Sequence, residues 1–315
     1  MHLAGAVLFD MVEPSDRKGG RGKPMYRTAW IEAEGLVNLR DTAGLPAIHP
    51  RLNIPLEIQP LRLLRSDNLQ TLTPTSINQL VEELNLTDVV DLRTELERTT
   101  TGPGPLHLDG RVTIHGLSLY VENSTQGALP DAAQDRHNDP ATEPDSGEDV
   151  DDKPWGDEWD SHTPETQEEH IEFLSHHYLH YFQDRPENVL TALKTIAHAE
   201  GATLVHCAAG KDRTGCIVGL ALAIVGVPKS YIAYDYSRSN ERLLKILGKL
   251  STQAVYAVEV EANQEAARQA TPAGAILAVL RLIEQHYGSL QAYLEWIGWT
   301  EADTLAMRAK LLGMA

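Results

Sequence analysis

The sequence predicts an α/β domain: a small, mostly parallel central sheet flanked by many helices. Three observations lead there. Thr203-Leu204-Val205-His206 reads as a short buried strand, followed by a small-residue loop and an apolar helix from Thr214 to Ile224. Two more short apolar runs, Asp88 to Arg93 and Val112 to Tyr120, have the length and composition of strands. Most other periodic segments repeat every 3.6 residues, and from Lys229 onward almost nothing but helix is expected. With 315 residues, 42% of them hydrophobic, the chain can bury a substantial core, and it reads as a single domain over residues 1–315.

In chain order, residues 1–30 read as an N-terminal extension. After Arg62 to Leu69, Thr73 suits the N-cap and Pro74 the first turn of an amphipathic helix reaching from Ser76 to Leu86. The strand that follows ends in the charged pair Asp91 and Arg93. Residues 122–163 are rich in Pro, Gly, Asp and Glu and show no apolar period, so they read as a long surface insertion. Trp155 and Trp159 would anchor it if it serves as a lid or a partner-binding arm rather than a solvated loop. Helices are expected over Glu165 to Phe182 and Glu187 to Ala199, the second stopped by Gly201.

Charge and cysteine usage narrow the function. The formal net charge is -18, but fifteen Asp and Glu against Arg136 and Lys153 between Asp131 and Glu169 account for -13 of it. A nucleic-acid partner is excluded, because such partners require basic surface. No apolar run reaches the roughly 18 residues of a membrane-spanning helix. Met1 to Asp10 lacks a basic start and a small-residue cleavage site, so no secretory signal is expected. Two cysteines nine apart, Cys207 and Cys216, exclude a disulfide scaffold and point to a reducing, cytoplasmic setting.

The chemistry is concentrated in Val205-His206-Cys207-Ala208-Ala209-Gly210-Lys211-Asp212-Arg213-Thr214-Gly215. A cysteine and an arginine separated by five residues, ahead of a helix N-terminus, form a phosphate cradle: the amides of Ala208, Ala209, Gly210 and Lys211 and the helix dipole face inward, and Arg213 grips two oxygens. A thiol with the ordinary pKa of about 8.5 is mostly protonated at neutral pH, so the site has to favour the thiolate of Cys207. Gly210 lets the backbone approach the ligand, and Thr214 can bond the sulfur or the departing oxygen.

This loop resembles the protein tyrosine phosphatase active site: His-Cys, five residues, Arg, Ser or Thr, Gly. The closer resemblance is to the bacterial family of mycobacterial protein tyrosine phosphatase B, whose loop reads His-Cys-x-x-Gly-Lys-Asp-Arg-Thr-Gly. Gly35-Leu36-Val37-Asn38-Leu39-Arg40-Asp41, Leu64-Arg65-Ser66-Asp67-Asn68-Leu69, Val90-Asp91-Leu92-Arg93-Thr94-Glu95 and a helical tail around Ser289 to Leu312 extend it over residues 35–315, the insertion aside. Asp41-Thr42-Ala43-Gly44 departs from the Asp-Leu-Gly-Gly frequent in that family. The resemblance implies a tyrosine phosphatase-like fold and a phosphomonoester hydrolase acting through a phosphocysteine, without metal or cofactor. It implies a phosphotyrosine protein as the leading substrate, with phosphoserine, phosphothreonine and phosphoinositides also admitted. Lys211 is similar to the lysine that meets a second phosphate in phosphoinositide phosphatases.

The general acid has two candidates. The resemblance favours Asp212, within the loop; Asp91, at the end of a strand that should open onto the same pocket, is the second. No Trp-Pro-Asp occurs, and Pro154-Trp155-Gly156-Asp157 has the reverse order. His206 reads as a brace for the loop backbone rather than a base, and Cys216 as a packed core residue rather than a redox partner of Cys207. His176 and His180 lie one turn apart but no third metal ligand is specified. Gly210-Lys211 lacks the first Gly and the Ser or Thr of a nucleotide loop. A rhodanese-type sulfurtransferase and a catalytically silent phosphate-binding module remain as alternatives.

Overall fold

The computed structural model describes residues 30–49, 52–122, 166–257 and 269–314. Of the expected N-terminal extension and acidic insertion, all but Trp30 and Glu122 lie outside the described residues. Five strands form one sheet, ordered β1 (Arg40–Asp41), β4 (Leu63–Ser66), β7 (Ala202–His206), β5 (Leu86–Asp91) and β6 (Thr113–Gly116). Only β1 is antiparallel to its neighbour; the other pairings are parallel, so the mostly parallel α/β fold is as expected. A separate hairpin pairs β2 (Pro46–Ile48) with β3 (Pro55–Glu57).

The sheet is buried on both faces, and its side chains alternate between two cores as strand geometry requires. Leu63, Val90 and Val205 join one apolar cluster; their sequence neighbours Leu64, Val89 and Leu204 join the other. The larger cluster is roofed by α4 (Gln167–Asp184), α5 (Pro186–His198), α6 (Asp212–Ile224), α7 (Lys229–Ser237), α9 (Ala273–Tyr287), α10 (Leu290–Trp296) and α11 (Glu301–Leu312). The smaller is covered by α1 (Pro74–Asn78) with its π-helical continuation Gln79–Glu83, and by α3 (Pro105–Asp109). Helices α2 (Glu95–Thr101) and α8 (Leu243–Leu250) stand near the carboxyl ends of the strands.

The differences from expectation have local causes. Thr73 caps α1 and Pro74 opens it as expected, but the helical stretch stops before Leu86 because Asn85 takes a left-handed conformation, which Asn tolerates well, and the chain enters β5 at once. Gly201 then passes so close to the Asn85 carbonyl that a Cβ there would overlap it. Strand β6 covers only four of the nine residues expected. Helices α2 and α3 are too short to display a period, although Thr94-x-x-Glu97 forms a capping box that opens α2 and Pro105 opens α3. Helix α6 begins at Asp212, two residues early, which places Asp212 and Arg213 in its first turn.

Among the described residues no helix is long and apolar enough to cross a membrane.

Candidate active site

Because β7 is the central strand, the loop after His206 leaves from the middle of the sheet's carboxyl edge. Its carbonyls are captured from outside. Asn68 donates its backbone N–H and Nδ2 to the Ala208 oxygen (2.9 and 3.1 Å), and Asn38 Nδ2 donates to Ala209 and Gly210 (2.9 and 3.1 Å). Arg65 donates to the oxygens of Gly210 and Lys211 (2.9 and 3.2 Å). With the oxygens turned outward, the amides face the other way, and among the described residues none from Ala208 to Arg213 donates to another protein group. Amides arranged in this way can hold an anion. Gly210 makes the turn at φ 69°, where a Cβ would overlap the Ser66 carbonyl.

The donors that turn these carbonyls are themselves buried and anchored. Asp67 accepts the N–H groups of Val37 and Asn38 and the Lys249 ammonium (2.7 Å). Asp235 on α7 holds both Arg40 (3.0 Å) and Arg65 (2.6 Å), and these two cations outweigh the burial that alone would raise its carboxyl. Arg65 thus braces the loop directly and Asp67 through Asn38, and none of Arg65, Ser66 and Asp67 lines the cavity beside Cys207.

Cys207 is 2% exposed yet lines a cavity of about 50 Å³ with Ala208, Ala209, Lys211, Asp212, Arg213, Tyr120, Tyr181, Leu250 and Gln269. At roughly 10–15 Å³ per water-sized occupant, this is room for about three to five oxygen-sized atoms. Arg213 enters from the first turn of α6 and is held by Glu97: NH1 donates to Oε2 (2.6 Å), NH2 to Oε1 (3.0 Å), and NH1 also to the Leu92 carbonyl (3.3 Å). The guanidinium keeps its Nε–H and one NH2 hydrogen, adjacent donors that match two phosphate oxygens. Burial opposes the charge on Arg213, but Glu97 and then Cys207 favour it and hold the group well above its ordinary value. Burial likewise pushes Glu97 up, and Arg213 outweighs it, so Glu97 stays ionised. The Tyr120 ring lies 5.4 Å from the guanidinium carbon. Glu97 is one of the site residues the sequence reading missed; the capping-box spacing from Thr94 was its only local signal.

The two acid candidates are placed differently. Asp212 shares the cavity with Cys207 and Arg213, and its Oδ1 accepts a hydrogen bond from the Tyr178 hydroxyl. Asp91 lines a neighbouring cavity of about 230 Å³, together with Arg93, Arg98 and His206. Arg93 NH2 bonds its Oδ2 at 2.6 Å. Burial alone would raise the Asp91 carboxyl, but His206 and Arg93 bring it down to about 2. His206 donates from Nδ1 to the Cys207 carbonyl (3.1 Å) and keeps Nε2 3.7 Å from Asp91. Burial lowers its imidazole.

The Lys211 ammonium is turned to the Gln269 carbonyl (2.5 Å) and Oε1 (3.1 Å), 3.9 Å from Asp212. Among the described residues the buried Thr214 hydroxyl has no hydrogen-bond partner, which suits a group that serves a ligand or the sulfur. Gly215 sits one residue beyond the cradle: its N–H donates to the Lys211 carbonyl (2.8 Å), and a Cβ would come within 2.5 Å of the Tyr236 ring. Its contribution is space. Cys216 is fully buried, with its thiol pushed well above the ordinary value by burial, as a packed residue should be. Among the described residues no group of three or more His, Cys, Asp or Glu could hold a metal; His176 bonds the Glu172 carbonyl and His180 faces Asp184.

The chain is 28% identical to the triple specificity protein phosphatase PtpB of Mycobacterium tuberculosis over 295 residues, 90% of this chain and 99% of that protein. It is 32% identical to a tyrosine-protein phosphatase of Nostoc commune over 148 residues, 46% of this chain and 48% of that one. Both relatives are phosphatases, which favours that chemistry over sulfur transfer. The sequence model of the tyrosine phosphatase family matches residues 31–313, and the chain belongs to that family.

Proposed function

We propose that this protein hydrolyses phosphotyrosine in proteins through a phosphocysteine on Cys207, with Asp212 as general acid and then base. The observation that carries the reading is the loop whose carbonyls are all bound from outside, so that its amides, Cys207 and Arg213 line one small cavity. In the first step the Cys207 thiolate attacks phosphorus in line while Arg213 and the loop amides hold the equatorial oxygens. The P–O bond breaks, and the Asp212 proton goes to the departing oxygen. Water then attacks phosphorus, giving its proton to the Asp212 carboxylate, and the P–S bond breaks to release phosphate and the thiolate.

Asp212 is preferred to Asp91 because it stands in the cavity with the nucleophile, whereas Asp91 is ion-paired with Arg93 and lines another cavity. Tyr120 and Tyr181 at the cavity wall suit an aryl ester. Phosphoserine, phosphothreonine and phosphoinositides are further substrates under the same proposal; a second phosphate would draw Lys211 away from Gln269. A free catalytic thiol fits a reducing compartment, the cytoplasm.

Asp212→Asn and Asp91→Asn, compared on p-nitrophenyl phosphate and a phosphoserine peptide, test the assignment. The poorer leaving group needs the proton more, so Asp212→Asn should lose about 100-fold or more on the peptide and far less on the aryl ester. Selective loss in Asp91→Asn instead would reverse the assignment.

A further inference from the structure

Asp212 does not stand alone. Tyr178, on α4 and 0% exposed, donates its hydroxyl hydrogen to Asp212 Oδ1 and lies 2.8 Å from the Tyr236 hydroxyl of α7. Since Tyr178 gives its one hydrogen to the carboxyl, Tyr236 must be the donor between the two tyrosines. The chain therefore runs Tyr236 to Tyr178 to Asp212 Oδ1, and it joins three helices. Tyr236 can reach into it because Gly215 presents no side chain where the ring passes. The Tyr178 ring is held by Tyr181, stacked at 5.7 Å, and by Tyr236, edge-on at 6.4 Å.

We propose that Tyr178, oriented by Tyr236, is a positioning residue for the general acid: by donating to Oδ1 it confines the transferable proton to Oδ2 and stabilises the carboxylate left when that proton has gone to the leaving oxygen. This rests on the reading of Asp212 given above. A carboxyl that accepts a fixed hydrogen bond on one oxygen can hold its proton only on the other, and Oδ2 faces the Lys211 side of the cavity at 3.9 Å from the ammonium. Tyr178 keeps its own proton throughout. Burial, and next to it Asp212, push its phenol well above the ordinary value, so it acts as a donor and not as a relay that empties. In the first step the Asp212 O–H breaks, the leaving oxygen gains the proton, and the new carboxylate charge is met by the Tyr178 O–H. In the second the carboxylate takes a proton from water under the same hydrogen bond.

Tyr178→Phe keeps the ring and removes only the hydroxyl. The expected result is a kcat on a phosphoserine peptide reduced about tenfold with KM unchanged, since a hydrogen bond to a charged group is lost only as the charge forms. On p-nitrophenyl phosphate kcat/KM, which reports only the step that forms the phosphocysteine, should fall far less, because that leaving group needs little protonation. Tyr236→Phe should give a smaller loss of the same kind. The decisive comparison adds Tyr178→Phe to Asp212→Asn, where it should have no further effect on either ester. Circular dichroism and a thermal melt verify that each variant is folded. Two failures are distinguishable. If Asp212→Asn shows no selective loss on the peptide, the acid assignment falls. If Asp212→Asn is selective but Tyr178→Phe lowers kcat/KM on both esters alike, or adds its full effect to Asp212→Asn, Tyr178 is a packing residue and the proposal is overturned.

Discussion

Replacing Glu97 with Gln isolates the ion pair on which the orientation of Arg213 depends. Gln can occupy the third helical position of a capping box as Glu does, so the Thr94 cap on α2 is retained and the perturbation is confined to the contact with Arg213. Glu97 is 1% exposed and accepts two bonds from Arg213 at 2.6 and 3.0 Å. Removing one partner of a buried pair costs about 3–5 kcal/mol; the low end applies, because Arg213 keeps the Leu92 carbonyl and opens onto the cavity. Phosphate binding feels two opposed effects: the lost carboxylate removes repulsion toward the dianion, while the lost fork lets the guanidinium swing. The transition state depends on orientation more than on net charge, so turnover decides. A fully removed oxyanion donor costs about 10²–10³ in kcat, and a misaligned one should cost at least about tenfold. Urea denaturation gives the stability and steady-state hydrolysis of p-nitrophenyl phosphate gives kcat. A Glu97→Gln protein with wild-type kcat and stability within about 0.5 kcal/mol would refute the reasoning.

Two other expectations follow from the same geometry. Gly210→Ala forces a Cβ into the Ser66 carbonyl at a left-handed φ, so inorganic phosphate should lose most of its inhibitory strength while the fold survives, as read by competitive inhibition and a thermal melt. Acid should destabilise the protein in two stages. The His177 imidazole is lowered by burial from 6.5 to about 4, so its contribution is complete above pH 6.5 and disappears as pH falls toward 4, about 3 kcal/mol in all. The Asp91 carboxyl is held at about 2 instead of 3.8 by the cations that outweigh its burial, so about 2 kcal/mol more is lost between pH 4 and 2. Urea midpoints across this range should show the first stage flattened in His177→Gln and the second in Asp91→Asn; unchanged slopes in both would contradict the assignment.

The cradle was legible because its chemistry is local. Cys207, Arg213, Gly210 and the amides between them lie within seven residues, and strand, loop and helix follow one another without interruption. Asp212 and Thr214 came with the loop. Glu97, Tyr178, Asn38, Asn68 and Asp235 did not, since each reaches the loop, Asp235 by way of Arg65, through contacts with sequence separations of 34 or more that only the packed sheet and helices bring together. The expectation that Asp91 opens onto the Cys207 pocket took the end of a neighbouring parallel strand as sufficient. The ion pair with Arg93, two residues on, holds the carboxylate at the adjacent cavity instead. Helix α2 was too short for its period to show, and with it went the partner of Arg213.

Rapid quench of the full-length protein with a phosphotyrosine peptide, followed by mass spectrometry of the proteolysed enzyme, addresses the nucleophile most directly. A phosphoryl group on the peptide containing Cys207, forming and decaying at rates that account for turnover and absent from Cys207→Ser, is the predicted result. Turnover retained in Cys207→Ser, or a phosphoryl group found on another side chain at the same rates, would contradict it.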